Sequence, residues 1–467
     1  MFTLRDKIHI KHGIGDFYAY LEQMKADLRD RLESDESYHK LNARAITGDQ
    51  EAVAYFLNEI EKYMRTHPYT GEIPQPYRSA SEALYQEWKG FGPAYQWFVD
   101  PKYAESSGMQ IIGTRIFYKE GGEYKLSEYR FRSFERVEQL VRSLVTNDER
   151  VSINESNPEA ELKMDDPLWP GRHIRLAIWK SPRVWEEYTT ITARRQVIEY
   201  LSLQDQAGSG SIPHDAVPML KNLARTFRNT IIAGPVDSGK STFANTIVGE
   251  QLSASVRKLG VVMIEKHPES IIPYVFPQHR IIPVRAEDRD LMEIGVKSLR
   301  MDANVIYMTE MRNLEWRFFL WAASKGYDGI VGTYHTKDAQ DIPYQAAVSV
   351  YTEHGGELKG YLIDALKSCE LVFIMDDIHG KKRLVRVSEI VYDEQEQTVY
   401  ANDLMRFNGE GWEYHAAVTD AMIRRMEKKN PQAMRDFLHE LKMLATRQPM
   451  KESPVIKSIV SGKILRG

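Results

Sequence analysis

The sequence predicts an α/β fold, a phosphate-loop domain with a parallel-rich sheet, preceded by an α+β domain and a helical N-terminal extension. Three observations carry this. Between 214 and 410, apolar runs at 230–233, 260–264, 305–308, 329–333, 370–375 and 383–391 alternate with helical patterns at 289–299, 313–324 and 342–352. Such alternation favours parallel strands joined by crossover helices. Between 90 and 203 the pattern is mixed, with a strand–turn–strand at 109–118, strands at 173–178 and 188–192, and an amphipathic helix at 133–145. That helix lines up Phe134, Val137, Leu140, Val141, Leu144 and Val145 on one face. The third observation is Gly234, Pro235, Val236, Asp237, Ser238, Gly239, Lys240, Ser241 and Thr242, set between the 230–233 strand and a helix over 241–249.

Residues 1–89 are rich in charge and helix formers, with apolar residues at helical spacing over 17–32 and 51–64 and a proline-rich break at 66–76. They read as an accessory helical extension, a solvated cap or tether. Residues 204–213, with their glycines and serines, read as a flexible linker. Residues 411–467 read as a helical C-terminal tail, charged over 420–447.

Composition sets outer limits. The chain has 467 residues, room for more than one domain, and its 42% apolar and 27% charged content is that of an ordinary soluble globular protein. A net charge of −4 gives no overall attraction to nucleic acid, and direct nucleic-acid binding is not expected. Cys369, the one cysteine, precludes an internal disulfide and suits a reducing cytoplasm; beside the apolar run 371–374 it reads as a buried structural thiol. No run reaches the length of a membrane helix and the first residues lack a secretory apolar core, so a cytoplasmic protein that meets a membrane only through partners is expected.

The nine-residue loop has the spacing Gly-x4-Gly-Lys-Ser/Thr. Glycines let successive N–H groups turn inward around an anion, and the following helix aims its positive end at the same point. The expected ligand is ATP, with Lys240 on the β- and γ-phosphates and Ser241 on Mg²⁺. Hydrolysis also needs a group that orients water. The strand at 305–308 runs on to Glu310 and Arg312, which puts a carboxylate at the strand edge where ligands of open α/β sheets bind. A second strand ends at Glu265, with Glu269 close behind; either could act on Mg²⁺ through water, position the attacking water, or belong to a solvated loop. His335 comes after the strand at 329–333, where a neutral imidazole could sense the γ-phosphate. Cys/His metal clusters and a Gly-x-Ser-x-Gly elbow are absent from the sequence.

Five stretches together resemble the ATPases of type II and type IV secretion systems, especially the branch serving tight-adherence (Flp-type) pilus assembly and conjugative secretion. They are 90–100, the acidic stretch Glu265 to Glu269, the run from Leu299 to Arg312, the run from Gly326 to His335, and 381–390. The resemblance implies a RecA-like, Mg²⁺-dependent ATPase working as a homohexamer, held at the inner face of the cell membrane by an inner-membrane platform protein. It makes Glu310 the catalytic carboxylate with Arg312 beside it, Glu265 and Glu269 the acidic-box residues and His335 the histidine-box residue. It also implies an arginine from the preceding domain at the γ-phosphate, for which Arg194 is the candidate, with Arg195 next and a second possible in 171–175. Lys266, Tyr327, Ala303, Asn304, Pro235 and Asp237 depart from the family pattern. A cation at Lys266 in place of an acid should weaken metal binding. Two rival readings are a conjugative transfer ATPase of the same family and a catalytically degenerate ring subunit.

Overall fold

The computed structural model describes residues 14–33, 36–46, 48–146, 151–169, 172–195, 200–255, 257–266, 270–286 and 290–466. The chain divides into two compact units, Met1–Val197 and Ile198–Gly467.

In the first unit, helices Ile14–Glu33, Glu36–Ala45, Gln50–Thr66 and Ala80–Trp88 precede a sheet. The helix from Gln50 shows why these segments hold. Asp49 caps it by accepting the Ala52 N–H at 3.0 Å, and Ala52, Phe56, Ile60 and Tyr63 form one buried stripe. The extension is not a solvated cap: Phe17, Leu21, Met24 and Phe56 are fully buried and belong to the same core as Val137, Leu140 and Ile191. Arg136, itself buried, donates to the carbonyls of Gln86 (2.8 Å) and Gly90 (2.6 Å) and lies 3.6 Å from Glu87. An apolar helical stripe needs a partner surface, and here the α+β domain supplies it.

The strands of that domain are β1 (Gly108–Ile112), β2 (Arg115–Glu120), β3 (Glu123–Arg130), β4 (Glu159–Asp165), β5 (His173–Trp179) and β6 (Thr190–Arg195). They form an antiparallel sheet in the order β3-β2-β1-β6-β5-β4, and the helix Phe134–Thr146 buries Val137, Leu140, Val141 and Leu144 as its spacing predicts.

The second unit contains β7 (Thr230–Ala233), β8 (Gly260–Glu265), β9 (Arg280–Arg285), β10 (Val305–Met308), β11 (Val331–Tyr334), β12 (Leu371–Ile378), β13 (Lys381–Asp393), β14 (Thr398–Phe407), β15 (Trp412–Tyr414) and β16 (Val455–Ser458). The order is β15-β14-β13-β12-β7-β11-β10-β8-β9, with β16 against β14. From β12 through β9 the pairs are parallel; from β12 through β15 they are antiparallel. β7, β8 and β10 are buried at every position, as strands covered on both faces by helices must be.

Two expectations need correction. The glycine- and serine-rich stretch 204–213 is not a loose connector: it overlaps the helix Leu203–Gly208, where Ser202 and Asp205 cap one another and Leu203 and Ala207 are buried. Local capping overrides composition there. The segment after 411 is not purely helical. β15 and β16 extend the sheet, and helices Asp420–Lys429 and Pro431–Arg447 are separated at Asn430, which caps the second.

At the amino end of the parallel strands lies a charged knot. Glu370 accepts from Arg228 (3.2 Å), from Arg425 of the 420–429 helix (2.9 Å), and from the Asn229 N–H (2.8 Å) just before β7.

Candidate functional site

The carboxyl ends of β7, β8, β10 and β11 meet at one edge of the second sheet, and the segments that leave these four strands build the site. β11 pairs β7 in parallel, Tyr334 beside Ala233, so the phosphate loop and His335 leave the sheet side by side. β10 lies on the other side of β11 and leads to Glu310. Its exit is fixed by the Thr309 N–H on Ile264 O (3.2 Å), the Met311 N–H on Thr333 O (2.8 Å) and the Thr333 hydroxyl on Thr309 O (2.6 Å).

The loop is shaped by glycine. Gly234 has φ +150° and its N–H donates to Tyr334 O at 3.2 Å; a Cβ there would sit 2.1 Å from Met375 O. Gly239, at φ +90°, starts the helix Lys240–Ser253 and has no side chain to cap it, which leaves the positive helix end to the loop. Asp237 is also left-handed, at φ 63°, a conformation Asp tolerates better than most. The Lys240 ammonium donates to the Pro235 carbonyl of the loop. Burial lowers its pKa to about 8, against the opposing pull of Glu310 and Asp237, and with Lys382 lowering it further.

Glu310 is bound by Arg312 and has His335 as a neighbour. Arg312 donates to it through Nε and Nη2 at 3.1 Å, and His335 Nε2 lies 3.6 Å from Oε1. Burial and the neighbouring Lys240 push the His335 pKa below its ordinary 6.5, although Glu310 pulls the other way. The ring is therefore neutral at physiological pH. Glu265 is buried and accepts the Ser270 N–H at 2.9 Å. Ser270 donates to Asn245 Oδ1 at 3.0 Å, and the Tyr307 hydroxyl donates to the same atom at 2.9 Å. This network ties the end of β8 to the phosphate-loop helix and to β10. Glu269 lies outside the described residues. Ser241 and Thr242 sit in the first helical turn.

Several sequence-derived residues separate at this point. Tyr327 precedes β11 whereas His335 comes after it, so Tyr327 stands at the opposite end of the strand from the phosphate loop. Asn304 is likewise at a strand start, accepting the Gly260 N–H at 2.8 Å. In the first unit Arg194 is exposed on β6, cross-strand from Arg175. Arg195 is a structural residue: its side chain is 0% exposed, bonded to Asp166 at 2.7 Å and to the carbonyls of Tyr103 and Trp97 at 2.7 Å each. Asn245, Ser270 and Tyr307 carry no sequence signal. Lys382 lies in the 381–390 stretch, but nothing in the sequence sets it beside the phosphate loop; its Nζ is 3.0 Å from Asp237 across 145 residues.

The second unit is an α/β domain with a parallel-rich sheet that carries the phosphate-loop motif, and the first unit contains an α+β domain. Residues 125–347 match the family "Type II/IV secretion system protein". A type IV secretion system protein VirB11 of Bartonella quintana (strain Toulouse) is 24% identical over 190 residues, 38% of this chain and 50% of that protein. The chain thus spans about half the length of this curated relative. Among solved structures, the VirB11 ATPase of the Brucella suis type IV secretion system, in complex with sulphate, is 18% identical over 63% of this chain and 94% of that one, with a TM-score of 0.31. The Legionella pneumophila ATPase DotB is 18% identical over 63% and 79%, with a TM-score of 0.46. The pilus retraction motor PilT with bound ADP is 15% identical over 79% and 96%, with a TM-score of 0.47. Among the described residues no helix is long and apolar enough to cross a membrane.

Proposed function

We propose that this chain is a Mg²⁺-dependent ATP hydrolase that works as a homohexameric motor. It powers assembly of an Flp-type pilus, or type II or IV secretion, from the cytoplasmic face of the membrane through an inner-membrane platform protein. The observation that carries the reading is the meeting of the phosphate loop, Glu265, Glu310 and His335 at the carboxyl edge of four parallel strands, with Glu310 bonded to Arg312 and 3.6 Å from His335.

The residues fit the groups they would hold. The loop has the glycine that a close approach requires, and a lysine beside it. Ser241 and the carboxylates of Glu265 and Glu310 are hard oxygen donors of the kind Mg²⁺ takes. Bound there, Mg²⁺ would neutralise charge on the β- and γ-phosphates. Lys240 exchanges its bond to the Pro235 carbonyl for phosphate oxygens. Glu310 orients the attacking water and accepts its proton. Neutral His335 donates to the γ-phosphate, and Arg194 is assigned the catalytic role that the family resemblance implies for it. Glu265 would act on bound Mg²⁺ through water or position the attacking water, and Glu269 is assigned to the same task.

Two other readings have a specific basis. The VirB11 relative favours a conjugative transfer ATPase. Lys266 beside Glu265, and Asp237 within the loop, favour a nucleotide-binding ring subunit without turnover.

The test is ATP hydrolysis with and without Mg²⁺, ATP binding, and mass in solution. Lys240→Ala should lose binding. Glu310→Gln should bind ATP while turnover falls by about 10²–10⁴. Wild-type turnover in Glu310→Gln would overturn its role, and tight binding without turnover in wild type would favour the ring-subunit reading.

A further inference from the structure

β12 runs parallel to β7, with Ile374 beside Ala233, and continues to Ile378, past the point where β7 gives way to the phosphate loop. It then turns back through His379 and Gly380, whose φ angles of 55° and 77° are those of a tight two-residue hairpin turn. The tip of this hairpin therefore stands beside the loop. On the returning strand Lys382 reaches the loop itself. Its Nζ is 3.0 Å from Asp237 Oδ1, and its Cδ lies 3.4 Å from where a Gly239 Cβ would be. Asp237 puts a carboxylate on a loop built to receive phosphates, where its charge opposes the ligand. Lys382 brings the compensating charge. Both lie within electrostatic reach of Lys240, whose pKa Asp237 raises and Lys382 lowers.

We propose that Lys382 is a positioning residue of the nucleotide site: by pairing with Asp237 it neutralises the carboxylate inside the phosphate loop, so that the loop can accept the triphosphate. This rests on the nucleotide reading above. It assigns to a strand outside the loop motif a part in binding, and it explains how an acidic residue is accommodated at that position.

The experiment is equilibrium titration of a fluorescent ATP analogue into full-length wild type, Lys382→Ala, Lys382→Arg, Asp237→Ala, the Lys382→Ala/Asp237→Ala double variant and Lys240→Ala. Removing one charge next to a triphosphate should weaken binding by roughly tenfold in Lys382→Ala, and less at about 1 M salt, where screening is nearly complete. Lys382→Arg should keep wild-type affinity, because the guanidinium can make the same ion pair. Asp237→Ala should bind more tightly than wild type, and the double variant should return to within about threefold of wild type, since the pair is neutral. A Lys382→Ala affinity within twofold of wild type overturns the proposal. So does a double variant as weak as Lys382→Ala, because Asp237 would then not be the charge that Lys382 offsets. Wild type that does not bind the analogue, or that matches Lys240→Ala, sinks the nucleotide reading and this proposal together.

Discussion

Lys240 shows how far one side chain can be read as a switch. Its pKa falls from 10.5 to about 8, chiefly through burial. Between those values the folded chain binds fewer protons than the unfolded one, so the penalty on the folded state is full below pH 8 and is relieved as pH rises above it. A triphosphate beside the ammonium reverses the shift. Nucleotide binding near pH 9 should therefore take up a proton, with up to about one bound, and affinity should fall as pH rises above 8. Calorimetric titrations in two buffers of different ionisation heat, at pH 7 and pH 9, measure this directly; equal proton counts at both would contradict it. The loop motif made Lys240 legible in the sequence, but its proton affinity was not, because that depends on burial and on Glu310, 70 positions away. Lys382 was not legible for the same reason: its partner Asp237 becomes a neighbour only through the register of β12 on β7.

At the scale of elements, legibility tracked burial. β7 and β10 were readable to the residue, since a short apolar run buried on both faces contrasts with the turns around it. β3 was missed because it is exposed at most positions and buries none, so no apolar face marks it. β14 was masked by polar residues: Asp403 is buried in mid-strand, where Arg386 (2.8 Å) and Arg406 (2.8 Å) neutralise it. β4 did carry a readable signal, with Ala160, Leu162 and Met164 alternating inward. The helical stripes of residues 14–66 were plain in the sequence, but a stripe does not say what covers it. β6 gives a prediction at this scale, because its two terminal arginines face different fates. Arg195→Ala strands the buried Asp166 carboxylate and should lower the stability of the first unit by about 3–5 kcal/mol. Arg194→Ala, at an exposed position, should leave stability within about 0.5 kcal/mol of wild type while reducing turnover. Urea unfolding beside an ATPase assay separates the two; equal destabilisation would remove the distinction.

At the scale of the whole molecule, each unit has a core of its own, Phe17 through Ala193 in one and Leu203 through Leu444 in the largest of the other. Residues 198–467 should accordingly fold alone and keep Lys240-dependent ATP binding, which expression of that fragment and titration would check. The second sheet uses its two ends differently. The carboxyl end gathers the loop, Glu310 and His335; the amino end gathers Arg228, Asn229 and Glu370, and through Arg425 the helix 420–429. That helix is thus an anchor for the foot of the strand whose head becomes the phosphate loop. A chain cut after residue 419 loses none of the loop, Glu310 or His335, yet it takes Met422 and Met426 out of the core and deprives Glu370 of one of its cations. Leverage of this kind means that a tag, a protease nick or a truncation far behind the motor can read in an assay as a defect of the nucleotide site.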